Sequence, residues 1–421
     1  MVSYRKLKRL ADYRAGTRNE IAIDEHMRAE ACLPESLQLN VPRVQRWSGR
    51  ALRFPRLMRA AASVAVVSWP CFIAPALFSM QLLQLMLLKA RQGTSPPLRN
   101  GSVIGAGFSE RAVELINTRG FPVRAEAWLT FPWVGETASA GRPQQVGCLG
   151  LIRYRDLAAA WIDAMAAVLS WRHSRQLAPW ILQTYTAMRW FVAIRAIEST
   201  NAHWLCAEHY DRWAVLLDRT VRRHRGGWTL VQHGSVTGLS GQNTLELPTR
   251  LRRVSQLICF DQDSLDFFHR KVLAPGACAC PVTNVIHRPS IQTRRLVDRE
   301  AGLRLLIVGH PFSESLQVRL HEKICSIFPS VVCFYKPHPH AAMSHDMRTV
   351  GWRLVEDPAC FPEVDLLLSY PSTLVNEYAS AGIEAVIHPI SGNEEEAASV
   401  WHSLEARIRD LQPSNIHLGL S

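Results

Sequence analysis

A doubly wound α/β fold in two lobes is predicted by three observations. Short apolar strands alternate with helical segments through two stretches of the chain. Several of those strands end in a glycine or histidine turn. The length of 421 residues exceeds what one hydrophobic core usually serves. An apolar content of 48% excludes wholesale disorder. The expected organisation is a basic region over 1–59, an apolar segment and linker over 60–100, a first lobe over 101–285 with a helical insertion, and a second lobe over 286–421.

The first lobe opens with Ser102-Val103-Ile104-Gly105-Ala106-Gly107, a strand entering a glycine turn. A helix continues through Glu110 to Thr118 and a second strand around Val123 to Phe131, which completes a βαβ unit. Gly105 and Gly107 are either a phosphate loop or positions for tight packing, the second being the better reading. Asp156 to Thr200 reads as helical, with Trp161, Trp171, Trp180 and Trp190 as anchors between helices. Strands are expected at 203–206, 228–232 and 257–260, with a helix over 211–224 and another from Ser264. Cys280 to Leu303, with Pro281 and Pro289, reads as the connection between lobes. In the second lobe strands are expected at 303–309, 331–336, 353–356, 364–369 and 385–388, and helices at 314–327 and 372–381.

Charge is concentrated at the start. The net charge of +12 and pI near 9.5 imply an anionic partner. Residues 1–59 hold 13 Lys/Arg against 6 Asp/Glu, a balance of +7. Arg43, Arg46, Arg50, Arg53, Arg56 and Arg59 recur every three or four residues, and on a helix the first four share a face. Ala60 to Leu88 then runs 29 residues without Asp, Glu, Lys, Arg or His. That length permits one membrane crossing. The basic flank, however, would hold the N-terminal side in the cytoplasm and put the rest of the chain outside. Pro70 and Pro75 favour a kinked or broken helix. A re-entrant or interfacial anchor on the anionic inner leaflet is therefore expected, at the cytoplasmic face, with a buried helical hairpin as the alternative. Nucleic acid is not an expected partner, because the basic excess adjoins apolar residues rather than interleaved aromatics. The first 35 residues contain no secretory signal. Ten scattered cysteines read as reduced core thiols; Cys278 and Cys280 lack zinc-site spacing, and no metal is expected.

Candidate chemistry lies at strand exits, where open α/β sheets bind ligands. Val231-Gln232-His233-Gly234-Ser235 puts an imidazole on a turn, and its ordinary pKa suits a general base. Glu208 and His209 leave the preceding strand and could orient that ring or bind acceptor. In the second lobe, Ser369-Tyr370-Pro371-Ser372-Thr373 leaves a strand and opens a helix whose N-terminus suits phosphate. Glu377, one turn down, could take ribose hydroxyls. Lys336 and His338 of Tyr335-Lys336-Pro337-His338-Pro339 face the same crevice and could hold a diphosphate or protonate a leaving phosphate. His310 of Gly309-His310-Pro311 is a further histidine at an exit.

The strand-helix-strand from His203 through Gln232-His233-Gly234-Ser235, the Lys336-Pro337-His338-Pro339 turn, and Ser369 through Glu377 together resemble GT-B-type bacterial surface-polysaccharide transferases. The resemblance spans about residues 200–390 and extends to polysialyltransferase-like capsule enzymes and CDP-glycerol glycerophosphotransferases. It implies two facing Rossmann-like lobes and a nucleotide-linked donor (CMP-, CDP- or UDP-type) on the C-terminal lobe. It implies no obligatory cofactor or metal, and a polysaccharide or lipid-linked acceptor. By it His233 is the base, while His338, Ser372 and Thr373 hold the donor phosphates. From the residues themselves, His338 is also a catalytic candidate across the gap from His233. His310, Lys336 and Glu377 are expected on the donor side, and Gly105, Gly107, Glu208 and His209 on the acceptor side. The acidic Asp/Glu-Asp/Glu-Gly motif of bacterial sialyltransferases is absent, which leaves the donor open. A UDP-sugar 2-epimerase-like enzyme on the same fold and a non-catalytic scaffold of a capsule assembly complex are the competing readings.

Overall fold

A computed structural model describes residues 4–30, 40–42, 55–92, 101–117, 120–134, 144–221, 227–234, 245–275, 282–288, 291–296, 302–338, 343, 345–390 and 394–412. Arg43, Arg46, Arg50 and Arg53, the 93–100 linker, Ser235, Cys278, Cys280 and Pro339 fall outside them.

Two parallel sheets carry the chain. The first has seven strands: β1 (Val103–Gly107), β2 (Ala127–Thr130), β3 (Gln144–Gly147), β4 (His203–Cys206), β5 (Trp228–Val231), β6 (Val254–Cys259) and β7 (Thr283–Ile286). Their order is β3-β2-β1-β4-β5-β6-β7. The second comprises β8 (Arg304–Val308), β9 (Val332–Lys336), β10 (Arg353–Leu354), β11 (Leu366–Ser369) and β12 (Ala385–Ile387), ordered β10-β9-β8-β11-β12. Every described pairing is parallel. Order reverses between β1 and β4 and between β8 and β11, the two topological switch points. The central strands are buried on both faces, as parallel sheets require. In β8, Leu305 packs with Leu320 and Trp401 on one face, while Leu306 packs with Phe334 and Tyr378 on the other.

Two edge strands were not expected. β3 and β7 are largely exposed and carry polar residues, Gln144 and Gln145 in one and Thr283 and Asn284 in the other. They join through main-chain ladders, with Val146 of β3 buried and Val285 of β7 packed against the core. β7 therefore extends the first sheet into the stretch expected to connect the lobes. The first lobe also gains a long helix, Tyr4–Glu30, inside the region expected to be only basic surface. Its Tyr13 and Ile21 enter the first core with Trp171, Trp190 and Trp204. Polar contacts fasten it: Arg9 pairs with Glu198, Glu20 with the buried Arg212 at 3.3 Å, and Asn19 brackets a loop. The Asn19 amide donates to the carbonyls of Tyr210 and Thr249 at 2.8 Å, while its oxygen accepts from the Thr249 amide at 2.9 Å.

The apolar segment is neither broken nor a hairpin. Helices Pro55–Ser68 and Ala74–Gln92 join through a single π-turn, Trp69–Ile73, with Pro70 in its first turn. Widening the turn to i→i+5 accommodates the proline that would otherwise end the helix. The rod is seated sideways on the first lobe. Ala74, Phe78, Gln81 and Leu85 are buried at helical spacing, and the Trp69 indole donates to the Thr184 hydroxyl at 2.8 Å.

Asp24 of the first helix is half-buried and accepts from the Gln183 amide. Burial, then the neighbouring Glu20, pushes its carboxyl up to about 6. A carboxyl whose folded pKa is raised favours folding while protonated. That contribution is complete below the unfolded value and disappears as pH rises through about 6. Asp24→Asn should therefore stabilise the protein at pH 7.5 by on the order of 1–3 kcal/mol. The gain in melting temperature should vanish by about pH 4 in a pH series of thermal melts, where wild type is already protonated.

Candidate functional site

At the β5 exit, the side chain of Gln232 builds the turn. Its oxygen accepts from the Phe260 amide at 2.8 Å, and its nitrogen donates to the Gly234 carbonyl at 2.9 Å and the Ser264 hydroxyl at 3.1 Å. Buried polar groups need such partners, and together they fix the next residue. The His233 amide donates to Nε2 of His209 at 2.5 Å, and His233 Nδ1 bonds the Ala207 carbonyl. A carbonyl only accepts, so Nδ1 carries the proton and Nε2 of His233 holds the basic lone pair. The two rings lie 4.2 Å apart. Burial, then His233, holds His209 well below the usual imidazole value, so it stays neutral and keeps accepting.

The other acceptor-side expectations resolve differently. Glu208 is buried and hydrogen-bonded to Asp211, and Asp211 caps the Arg212–Thr220 helix through the Trp213 and Ala214 amides, both at 2.9 Å. Burial, then Glu208, raises the Asp211 carboxyl well above the usual carboxylate range. Gly105 and Gly107 are strand residues, not a phosphate loop. A Cβ on Gly105 would lie 2.5 Å from the Trp128 ring, so glycine is there for packing.

In the second lobe, His310 and His338 meet at the β8 and β9 exits with ring centroids 5.7 Å apart, and Tyr370 closes on His310 at 4.6 Å. Gly309 precedes them because a Cβ would sit 2.3 Å from the Tyr335 hydroxyl. Burial, then His338 and His388, lowers His310 to about 3, so it is neutral at every physiological pH. Its Nδ1 accepts from the Phe312 amide at 3.3 Å, leaving a proton on Nε2 to donate. His388 at the β12 exit was not anticipated, although His388-Pro389 repeats the pattern of His310-Pro311. It is fully buried, accepts from the Gln317 amide at 3.0 Å, and donates from Nδ1 to the Pro389 carbonyl at 2.7 Å. That Gln317 amide also donates to the Val308 carbonyl at 2.8 Å, which ties the β8 and β12 exits together.

Ser372 caps the Thr373–Ser380 helix by accepting from the Leu374 amide at 3.3 Å. The Thr373 hydroxyl donates to the carbonyl of His233 at 3.4 Å. That bond joins the β5 exit of one sheet to the helix opened by β11 of the other, so His233, Ser372 and Thr373 come together where the two lobes touch. Glu377 is 2% exposed, within electrostatic reach of Lys336. Lys336 departs from expectation. Its ammonium donates to the carbonyls of Asp357, Pro358 and Cys360 at 3.1, 2.9 and 2.7 Å, which engages all three hydrogens. It braces the loop before β11 instead of lining the crevice. Among the described residues no group of His, Cys, Asp and Glu is placed to hold a metal ion.

No family model matches the chain. No curated protein matches it. Among solved structures, UDP-GlcNAc 2-epimerase from Neisseria meningitidis bound to UDP-GlcNAc is similar at 8% identity, covering 73% of this chain and 91% of that one, with a TM-score of 0.42. The trehalose-6-phosphate synthase OtsA is similar at 11% identity, covering 74% and 92%, with a TM-score of 0.41. At such values the strand order, not the likeness, carries the description of the fold.

Lys336→Met should lower the melting temperature, because three carbonyls lose a charged donor, at a cost on the order of 2–4 kcal/mol. A melt unchanged from wild type would return Lys336 to the ligand-binding role expected from sequence.

Proposed function

We propose that the chain is a transferase that moves a sugar or polyol phosphate from a nucleotide-linked donor to a surface-polysaccharide or lipid-linked acceptor. The contact between Thr373 and the His233 carbonyl carries this reading, because it brings a basic imidazole and a helix N-terminus to one crevice. The donor phosphates lie on the second lobe, at the Ser372–Thr373 helix start, where amides and the helix dipole favour negative charge. His310 offers them a neutral N–H, and His338 stands beside it. The acceptor lies on the first lobe with its hydroxyl against His233.

In the transfer step, Nε2 of His233 takes the acceptor proton as the acceptor oxygen bonds to the donor's transferred group. The bond from that group to the nucleotide phosphate breaks, and the electron pair leaves with the phosphate, held by the helix start and the histidine N–H groups. His209 and the Ala207 carbonyl keep His233 in the tautomer that can accept the proton. Lobe closure around the donor excludes water. Asp211 caps its helix and Glu208 is hydrogen-bonded to it, which favours this reading over an epimerase that would need acids lining the crevice.

Incubation with CMP, CDP, UDP and GDP identifies the donor base as the nucleotide that raises the melting temperature. His233→Ala should then reduce release of that nucleotide from its donor by about 10²–10⁴-fold while keeping the nucleotide-induced melting shift. Nucleotide release at the wild-type rate in His233→Ala would refute the assignment.

A further inference from the structure

We propose that the outer face of the Pro55–Gln92 rod, widened by the helix Tyr154–Arg172, is a docking surface for an anionic bilayer and lies in the plane of one leaflet. This rests on the transfer reading only for the place of the crevice. The inner face of the rod packs on the first lobe through Ala74, Phe78 and Leu85, but the outer face is uncovered. Leu57, Val64, Val67, Phe72, Met80, Leu83 and Leu87 are between 53% and 76% exposed. Ile162 and Leu169, half exposed and one heptad apart, extend that face on the neighbouring helix. Two contacts join the helices: Trp161 donates to the Ser79 hydroxyl at 3.2 Å, and Arg172 to the Cys71 sulfur at 3.4 Å. A continuous exposed apolar strip of this length is unusual for a soluble surface and marks an interaction site.

Charge identifies the occupant as lipid. The stretch from Arg56 to Gln92 contains no acid, and exposed Arg56, Arg59 and Arg91 flank its apolar centre. Arg155 and Arg172 stand exposed on the neighbouring helix. The acids of that helix are both engaged: Asp156 accepts from the Arg153 amide at the helix start, and Asp163 is buried on Arg195 at 2.5 Å. Among the described residues, apolar side chains flanked by exposed arginines match a leaflet of anionic headgroups over acyl chains.

Geometry argues against an upright crossing. The 37-residue rod is about 55 Å long, well beyond a hydrocarbon core of about 30 Å, and from Trp69 to Leu85 one side is fastened to a globular lobe. Lying flat satisfies both constraints. It also fixes an orientation. The end of the rod reaches the β3 exit, where Lys89 donates to the Leu149 carbonyl at 2.7 Å and Gln92 crowds Gly147. The crevice edge of the first lobe is thereby held beside the headgroups, where a lipid-linked acceptor is presented.

Flotation of the purified full-length protein with phosphatidylcholine vesicles, with and without phosphatidylglycerol, tests this. Wild type should float with the anionic vesicles, and Val67→Glu with Leu83→Glu should bind at least about tenfold less while melting normally. Ile327→Glu, an exposed position on the second lobe, should float like wild type. Equal flotation of the double variant, wild type left behind by both vesicles, or a lipid-free dimer dissolved by the same substitutions would overturn the proposal. The last outcome would make the occupant a second copy. Flotation as expected without a melting shift from any nucleotide would instead refute the transfer reading and leave the docking surface standing.

Discussion

Parallel pairing is the constraint on which the site depends. A strand in a parallel sheet must release its chain at the same edge as its neighbours, so the residues just past each strand are collected there. In this chain histidine repeatedly occupies those positions: His233 after β5, His287 after β7, His310 after β8, His338 just beyond β9 and His388 after β12. Two sheets therefore concentrate imidazoles along two edges before any ligand is considered. The Thr373–His233 contact joins the two edges.

Along those edges, burial separates the histidines by task. His209, His310 and His388 are buried and held neutral, and each has a hydrogen bond that fixes its tautomer. His209 and His388 are engaged with neighbouring protein groups, and His310 accepts at Nδ1 and keeps an N–H at Nε2. His233 is less buried and is oriented by two of its neighbours, which suits a group that must gain and lose a proton. Lys336, which sequence spacing alone put among the phosphate ligands, is consumed by loop carbonyls. A buried ammonium without three acceptors would be costly, so the loop supplies them.

The legibility of each part in the sequence depends on the forces that shaped it. The central strands were visible because burial on both faces writes a continuous apolar run, as in Leu305-Leu306-Ile307 or Leu366-Leu367-Leu368. β3 and β7 were not, because an edge strand is held by main-chain bonds and Gln144 or Thr283 carries no apolar signal. The Tyr4–Glu30 helix was missed for a related reason: Asn19, Glu20 and Arg9 find partners roughly two hundred positions away, and no local pattern encodes those pairings. The histidine exits were legible as motifs, yet their roles were not. Whether Lys336 faces a ligand or a carbonyl, and whether Gly105 cradles a phosphate or admits Trp128, is decided by packing across the sheet.

Hydrogen–deuterium exchange with the stabilising nucleotide is the most direct test of a shared crevice. Amides in 230–234 and in 370–377 should gain protection together, since closure on the donor presses the His233 turn against the helix that holds the phosphates. Protection limited to one of these segments, or found only elsewhere in the chain, would contradict a site built between the two sheets.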